Sequence, residues 1–337
     1  MGLRLGGVVD RDIDAVEAWL ADQDPGPAIV ATSGSSGAPK QVVLSRAAVL
    51  ASAAASAARL GGSGPWLLAL PSSYVAGLNV MVRSLLAGHR PVPLGERSPR
   101  DASVVGGYLS LVPTQLHRWL SDPDDAHSLA AFGAVLVGGG PVDTDLKDRA
   151  RSVGIRLVAT YGMAETCGGC VYDGLPLDGV GLALATDGRV RLAGPTLFDG
   201  YLDDPAATDE VLVGGWFHTS DTGRLDQDGR LQVLGRHDDM VVSGGVNVPA
   251  AAVAARLREH PQVKAAEVVG LTDAEWGHRV VAVVVGDLAL AEAREWVGEK
   301  HPRAWAPREV VVVPELPMLA NGKVDRLAVR ELARAAR

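Results

Sequence analysis

From about residue 11 to residue 235, short β-branched runs alternate with alanine-rich stretches of helical spacing. This alternation restricts the chain more than any other feature. The runs are AIVAT, WLLAL, AVLVGGG and RLVATYG, and a helix is expected across Ser45 to Arg59. A strand buried on both faces reads as an unbroken apolar run, and parallel strands need helices to carry the chain back between them. The expectation is an α/β fold with a largely buried sheet. Between Leu182 and Leu234 the texture changes to short strands separated by Asp-Gly pairs at 187–188, 199–200 and 228–229. Such pairs are hairpin and turn signals, so a small β-rich subdomain is expected there. After Gly235-Arg236-His237-Asp238-Asp239 the pattern restarts with a helix from Pro249 to His260, strands AAEVVGL and VVAVVVG, another helix and VVVVPEL. That is the pattern of a compact α+β unit. With 337 residues there is room for two domains, expected at 1–236 and 237–337.

Composition removes several classes of function. The chain is 47% hydrophobic and 21% charged, as a folded globular protein is, and shows no internal repeat or low-complexity segment. Its net charge is -8 and no basic run appears. Phosphate-backbone binding rests on clustered Lys and Arg, so nucleic acid is not the expected partner. Two cysteines, Cys167 and Cys170, complete neither a four-ligand metal site nor a disulfide framework. The N-terminus reaches Arg4, Asp10, Arg11 and Asp12 without the apolar core of a signal peptide, and no run long enough to span a bilayer follows. A cytoplasmic location is expected.

The densest local signal is Thr32-Ser33-Gly34-Ser35-Ser36-Gly37-Ala38-Pro39-Lys40, which follows the apolar run AIVA. Glycines let backbone N–H groups converge on phosphate oxygens, hydroxyls add donors, and the lysine adds a cation. A Ser/Gly stretch elsewhere would be an ordinary surface loop. Here the preceding strand and the terminal Pro-Lys point to a phosphate cradle. It is not a G-x-x-x-x-G-K-[ST] loop, because Gln41 follows Lys40, and residues 34–38 do not make G-x-S-x-G.

The loop resembles the phosphate-binding signature of the acyl-adenylate-forming superfamily of acyl-CoA synthetases, nonribosomal adenylation domains and luciferases. Further segments resemble that family in order. Gly138-Gly139-Gly140-Pro141 closes the strand AVLV, where the family packs backbone against adenine and the acyl group. Tyr161-Gly162-Met163-Ala164-Glu165-Thr166 resembles its aromatic-Gly-x-Thr-Glu segment, with Ala164 in place of Thr. The resemblance implies that Tyr161, Gly162 and Met163 line the adenine and that Glu165 holds Mg²⁺ on the phosphates. Thr219-Ser220-Asp221 resembles Thr-Gly-Asp, with Ser220 replacing Gly, and implies ribose contacts from Asp221 and Arg236. Asp238 matches the inter-domain hinge. Ser243-Gly244-Gly245 resembles the loop lining the thioester site, although Val242 stands where the family has a lysine. In Asn321-Gly322-Lys323, the resemblance makes Lys323 the catalytic lysine rather than a solvated surface charge.

The fold implied is an adenylating α/β domain with a β-rich subdomain, followed by a mobile α+β lid. The phosphate loop begins at Thr32, early for this family, so an N-terminally shortened form is expected. Short forms of this sort, and the run YGMAETCGGCVYDGLPLDGV, resemble actinobacterial o-succinylbenzoate–CoA ligases of menaquinone biosynthesis. The activity implied is ATP-dependent formation of an acyl-AMP, then transfer to coenzyme A, with ATP, Mg²⁺ and CoA required. Another aryl- or acyl-CoA synthetase, or an enzyme loading a carrier protein, is the alternative. In Pro71-Ser72-Ser73-Tyr74-Val75-Ala76-Gly77-Leu78, Tyr74 takes the position of a histidine that faces the acyl group in many members. A buried core tyrosine is the plainer reading of that residue. Tyr74, Gly77, Arg83 and Gly138 are the candidate acyl-binding residues, and of these Arg83 is the candidate for the acid's second carboxylate, against the alternative of an exposed helical arginine. The short N-terminus leaves surface for a homodimer.

Overall fold

The computed structural model describes residues 2–32, 40–102, 106–318 and 324–336. Seven strands make the largest sheet, in the order Val92–Pro93, Trp66–Leu68, Tyr108–Leu111, Ala134–Val137, Leu157–Met163, Gly168–Tyr172 and Leu175–Pro176. The first five pair in parallel and the last two turn back antiparallel. Leu67, Leu109, Leu111, Val135 and Val137 are buried with Leu116, Trp119, Leu129 and Leu146 from the crossover helices. This is the covered parallel sheet expected from the apolar runs. The helix expected from Ser45 runs Arg46–Leu60: the Ser45 hydroxyl caps it by accepting from Ala48 N–H, and Gly61 ends it in the left-handed region.

A four-stranded sheet lies in the order Leu3–Arg4, Ala28–Ala31, Gln41–Leu44 and Gly200–Tyr201. A further five-stranded sheet has the order Gly181–Leu184, Arg189–Ala193, Trp216–Leu225 and Leu212–Val213, with Leu231–Arg236 also on Trp216–Leu225. Two of the three Asp-Gly pairs make turns here, with Gly188 N–H on Ala185 O at 2.9 Å and Gly229 N–H on Asp226 O at 3.0 Å. The third does not. Instead of closing a hairpin, Gly200 begins a strand that pairs antiparallel with Val42 and Val43. The neighbouring Phe198 and Tyr201 rings are buried, and burying two aromatic rings outweighs a local turn preference. After Tyr201 the chain enters a helix, Pro205–Val211, capped by Asp204.

The chain divides into two compact units, one of Met1–Ala183, Arg191–Thr219 and Leu225–Leu231, the other of Leu184–Val190, Ser220–Arg224 and Gln232–Arg337. In the second, Val246–Pro249, Met240–Ser243, Gly277–Gly286 and Val263–Asp273 form a sheet in that order, with Glu309–Val312 parallel on Gly277–Gly286. Side chains alternate across a strand. Val280, Ala282 and Val284 therefore join a core with the helices Ala250–Arg258 and Leu290–Lys300, while Val281 and Val283 join another with the helix Arg326–Ala335. That double burial is why the sequence VVAVVVG has no polar residue.

Leu109, fully buried in the seven-stranded sheet, tests the first core. Leu109→Ala should lower the unfolding free energy by about 2–5 kcal/mol in urea titrations, and a loss below about 1 kcal/mol would contradict the packing described. Burial pushes both the Cys167 and Cys170 thiols up to about 12. Below that pH they stay neutral, and the thiolate is the reactive form. At pH 8 an aromatic disulfide reagent should therefore leave the native protein unlabelled and label two thiols after unfolding. Rapid native labelling would show one of them exposed.

Candidate functional site

In a sheet with parallel strands, ligands gather beyond the carboxyl ends of the strands. The first unit places two of the sequence-derived segments, 138–141 and 161–166, at such ends. Gly138, Gly139 and Gly140 follow Ala134–Val137, with Gly138 N–H donating to Leu111 O at 3.1 Å. Tyr161, Gly162 and Met163 end the adjacent strand. A short 3-10 turn, Ala164–Thr166, then presents Glu165 before Cys167 enters the left-handed region.

This turn is held from several sides. The Thr166 hydroxyl accepts from Met163 N–H at 2.9 Å and donates to Gly168 O at 2.8 Å. The Cys167 carbonyl accepts from Asn79 Nδ2 at 2.7 Å and from Ser52 Oγ at 3.1 Å. A methyl group on Gly162 would stand 2.0 Å from Gly168 O, so no other residue fits beneath the returning strand. The turn's backbone is thus tied to two helices, Arg46–Leu60 and Val75–Leu86.

Glu165 is only 8% exposed. Its Oε1 accepts from the Tyr201 hydroxyl at 2.8 Å, and its carbonyl accepts from Phe198 N–H at 2.9 Å. Lys40 Nζ lies 4.3 Å from the centroid of the Tyr201 ring, whose other neighbour is the edge-on ring of Phe198. Burial, then the Glu165 charge, push the Tyr201 phenol up, so it stays a donor. The ends of the segment expected to bind phosphate are joined by a reciprocal pair: Thr32 N–H on Lys40 O at 2.9 Å, and Lys40 N–H on Thr32 Oγ1 at 3.0 Å. Ser33, Gly34, Ser35, Ser36 and Gly37 lie outside the described residues.

Glu165 brings one hard oxygen site to the strand ends, and among the described residues no group of three or more His, Cys, Asp or Glu is arranged to hold a metal ion. Mg²⁺ is commonly held by one or two carboxylates together with substrate phosphates and water. A carboxylate with one of its oxygens engaged by a neutral hydroxyl, as Glu165 has, fits that ion beside a bound phosphate.

Three of the residues expected at the acyl group, Tyr74, Gly77 and Arg83, sit on the helix Val75–Leu86 and its entry. Tyr74 is the N-cap residue and 42% exposed, so it is no core tyrosine. Gly77 packs against the Pro71 carbonyl, where a methyl group would stand 2.2 Å away. Arg83 is 7% exposed, which rules out the exposed helical reading. Its guanidinium lies 5.3 Å from the Trp66 ring centroid, and Nε has no hydrogen-bond partner among the described residues.

In the second unit, Asp221 lies on Trp216–Leu225 and Arg236 ends Leu231–Arg236. The Thr222 hydroxyl donates to Gly235 O at 3.1 Å, joining the neighbours of both residues. Asp238 falls in the 3-10 turn His237–Asp239 that follows. Gly244 and Gly245 turn the hairpin between Met240–Ser243 and Val246–Pro249, both with positive φ. Gly244 N–H donates to Trp276 O at 2.9 Å, and the Trp276 ring lies where a Gly244 side chain would go. Val242, in place of the family lysine, is 49% exposed. Lys323 lies outside the described residues.

Sequence reasoning missed Tyr201, Asn79 and Trp276. Tyr201 was hidden by the adjoining Asp-Gly turn signal. Asn79 was visible as a lone amide inside the apolar helix sequence LNVMV, and a buried amide demands a partner.

The chain is 43% identical, over 97% of its length and 86% of the relative's, to a protein of Mycobacterium tuberculosis described as a probable 2-succinylbenzoate–CoA ligase. It superposes with a TM-score of 0.79 and 28% identity on an o-succinylbenzoate CoA synthetase from Bacillus subtilis in complex with the acyl-adenylate intermediate, covering 90% of this chain and 68% of that one. The same Bacillus enzyme in complex with ATP and magnesium ion gives a TM-score of 0.78 at 28% identity, covering 90% and 69%. The model of the AMP-binding enzyme C-terminal domain matches residues 252–323. Because the AMP-binding enzyme model matches residues 16–202, more than half of its length, the chain belongs to the AMP-binding enzyme family.

Proposed function

We propose that this chain is an ATP-dependent carboxylate–CoA ligase that converts o-succinylbenzoate to its CoA thioester, as a step of menaquinone biosynthesis. The observation that carries this reading is the likeness to the mycobacterial ligase along nearly the whole chain. The turn that presents Glu165 beside the phosphate-loop neck supports it independently.

A carboxylate is a poor acyl donor because oxide would have to leave. Exchanging that oxide for AMP solves the problem. The backbone and hydroxyls of residues 32–40 receive the phosphates of ATP, and Lys40 adds positive charge at the neck. Glu165 would hold Mg²⁺, which when bound offsets phosphate charge and fixes its orientation. Asp221 and Arg236 hold the ribose, and Tyr161, Gly162 and Met163 bound the adenine beside Gly139 and Gly140. Arg83 pairs with the substrate's second carboxylate, because a buried guanidinium with a free Nε–H is costly until an anion meets it. The other carboxylate attacks the α-phosphorus, Lys323 stabilises the charge that develops there, and pyrophosphate leaves.

The thiol of CoA then displaces AMP from the acyl carbon. In the same proposal residues 1–236 are the adenylating domain, and 237–337 are a lid that turns about Asp238. That turn withdraws Lys323 and brings Gly244 and Gly245 to the thiol's approach. The working protein is a cytoplasmic homodimer, a state that light scattering measures. No helix among the described residues is long and apolar enough to cross a membrane.

The test is ATP–pyrophosphate exchange with o-succinylbenzoate, benzoates and fatty acids, followed by CoA and mass detection of the thioester. Exchange with another acid but not with o-succinylbenzoate would overturn the substrate assignment. Lys323→Ala should abolish exchange yet leave thioester formation from supplied acyl-adenylate largely intact, and equal loss of both half-reactions would refute the two-state lid. Arg83→Met should lower kcat/KM for o-succinylbenzoate by about 10- to 100-fold, the value of a hydrogen bond to a charged group. An analogue without the ring carboxylate should be spared, and an equal loss with both acids would remove Arg83 from the pocket.

A further inference from the structure

Tyr201 engages both charges that the phosphates need. Its ring face carries the Lys40 ammonium at 4.3 Å from the centroid, and its hydroxyl donates to Glu165 Oε1 at 2.8 Å. The arrangement is built by the sheet rather than by a loop. Lys40 leads directly into the strand Gln41–Leu44, and Tyr201 stands opposite Val42 in the antiparallel register, with Leu202 N–H on Gln41 O at 2.8 Å. Tyr201 N–H donates to Thr208 Oγ1 at 2.9 Å, and Phe198 packs edge-on against the ring. The ring has little freedom to swing away.

We infer that Tyr201 is a positioning residue for nucleotide and metal, holding the Glu165 carboxylate in its working orientation and keeping the Lys40 ammonium from collapsing onto it. The inference rests on the reading of Glu165 as the Mg²⁺-holding residue. A carboxylate with one oxygen fixed by a hydroxyl presents the other in a defined direction, and groups that orient a ligating side chain commonly affect metal affinity 10- to 100-fold. A lysine and a glutamate beside one another with nothing between them form an ion pair, which withdraws both from phosphate and metal. A ring that binds the cation through its face and the anion through its hydroxyl engages each without neutralising either.

The experiment uses the full chain with α,β-methylene-ATP, whose affinity is measured by calorimetry, and Mn²⁺, whose binding to the nucleotide complex is read by electron paramagnetic resonance. Tyr201→Phe keeps the ring and loses the hydroxyl. It should leave metal-free nucleotide affinity within about twofold and weaken Mn²⁺ about tenfold. Tyr201→Leu loses both functions and should weaken metal-free nucleotide binding as well. Adding Glu165→Gln to Tyr201→Leu should restore that metal-free binding, because an amide cannot hold Lys40 as a carboxylate does. Wild-type Mn²⁺ affinity in Tyr201→Phe, with loss in Glu165→Gln, would make Tyr201 a packing residue only. Wild-type affinity in both would overturn the metal reading of Glu165 itself, and this inference with it. Failure of Glu165→Gln to rescue Tyr201→Leu would overturn the charge-separating role.

Discussion

The parallel pairing of Trp66–Leu68, Tyr108–Leu111, Ala134–Val137 and Leu157–Met163 is the constraint on which the first unit depends. Parallel strands deliver their carboxyl ends to one edge, so Gly138-Gly139-Gly140 and Tyr161-Gly162-Met163 become neighbours without any loop having to find the other. The sheet then reverses direction after Met163. That reversal is what places Glu165 in a tight turn rather than at the start of another crossover helix. The turn's rigidity comes from buried polar groups on two separate helices, Ser52 and Asn79, which converge on the Cys167 carbonyl. Each would be costly to leave unpaired, so together they fix the turn more firmly than either could alone.

Much of this architecture was legible because it rests on local rules. Apolar runs of strand length, the helical spacing across Ser45 to Arg59, and the Asp-Gly turns at 187–188 and 228–229 are each decided by residues a few positions apart. What was not legible depends on pairings distant in sequence. Asp199-Gly200 has the same local signature as the other two turns, yet it opens a strand against residues 42–43 because Phe198 and Tyr201 must be buried. Arg83 looks like a surface residue of a helix until Trp66, brought alongside by the strand before it, covers it. The Tyr201–Glu165 hydrogen bond joins segments 36 residues apart. No spacing rule links them.

The two halves of the proposed chemistry rest on different supports. Adenylation draws on a held carboxylate, a closed phosphate-loop neck and a family match across the first unit. Thioester formation draws on the Gly244-Gly245 turn, where Trp276 occupies the space a side chain would need, and on the match of the C-terminal domain. Val242 replaces a family lysine without disturbing the hairpin, since its position faces solvent. A charge at this position is therefore not needed for the fold of this loop.

In the proposed adenylation a carboxylate oxygen, and not water, attacks the α-phosphorus of ATP. o-Succinylbenzoate labelled with ¹⁸O in its succinyl carboxylate decides this when AMP and pyrophosphate are analysed by mass spectrometry after turnover with CoA. The expected result is one ¹⁸O in each AMP and none in pyrophosphate, because the bridging oxygen leaves with AMP when the thiol displaces it. Label in orthophosphate with ADP as the nucleotide product, or AMP free of label, would contradict it.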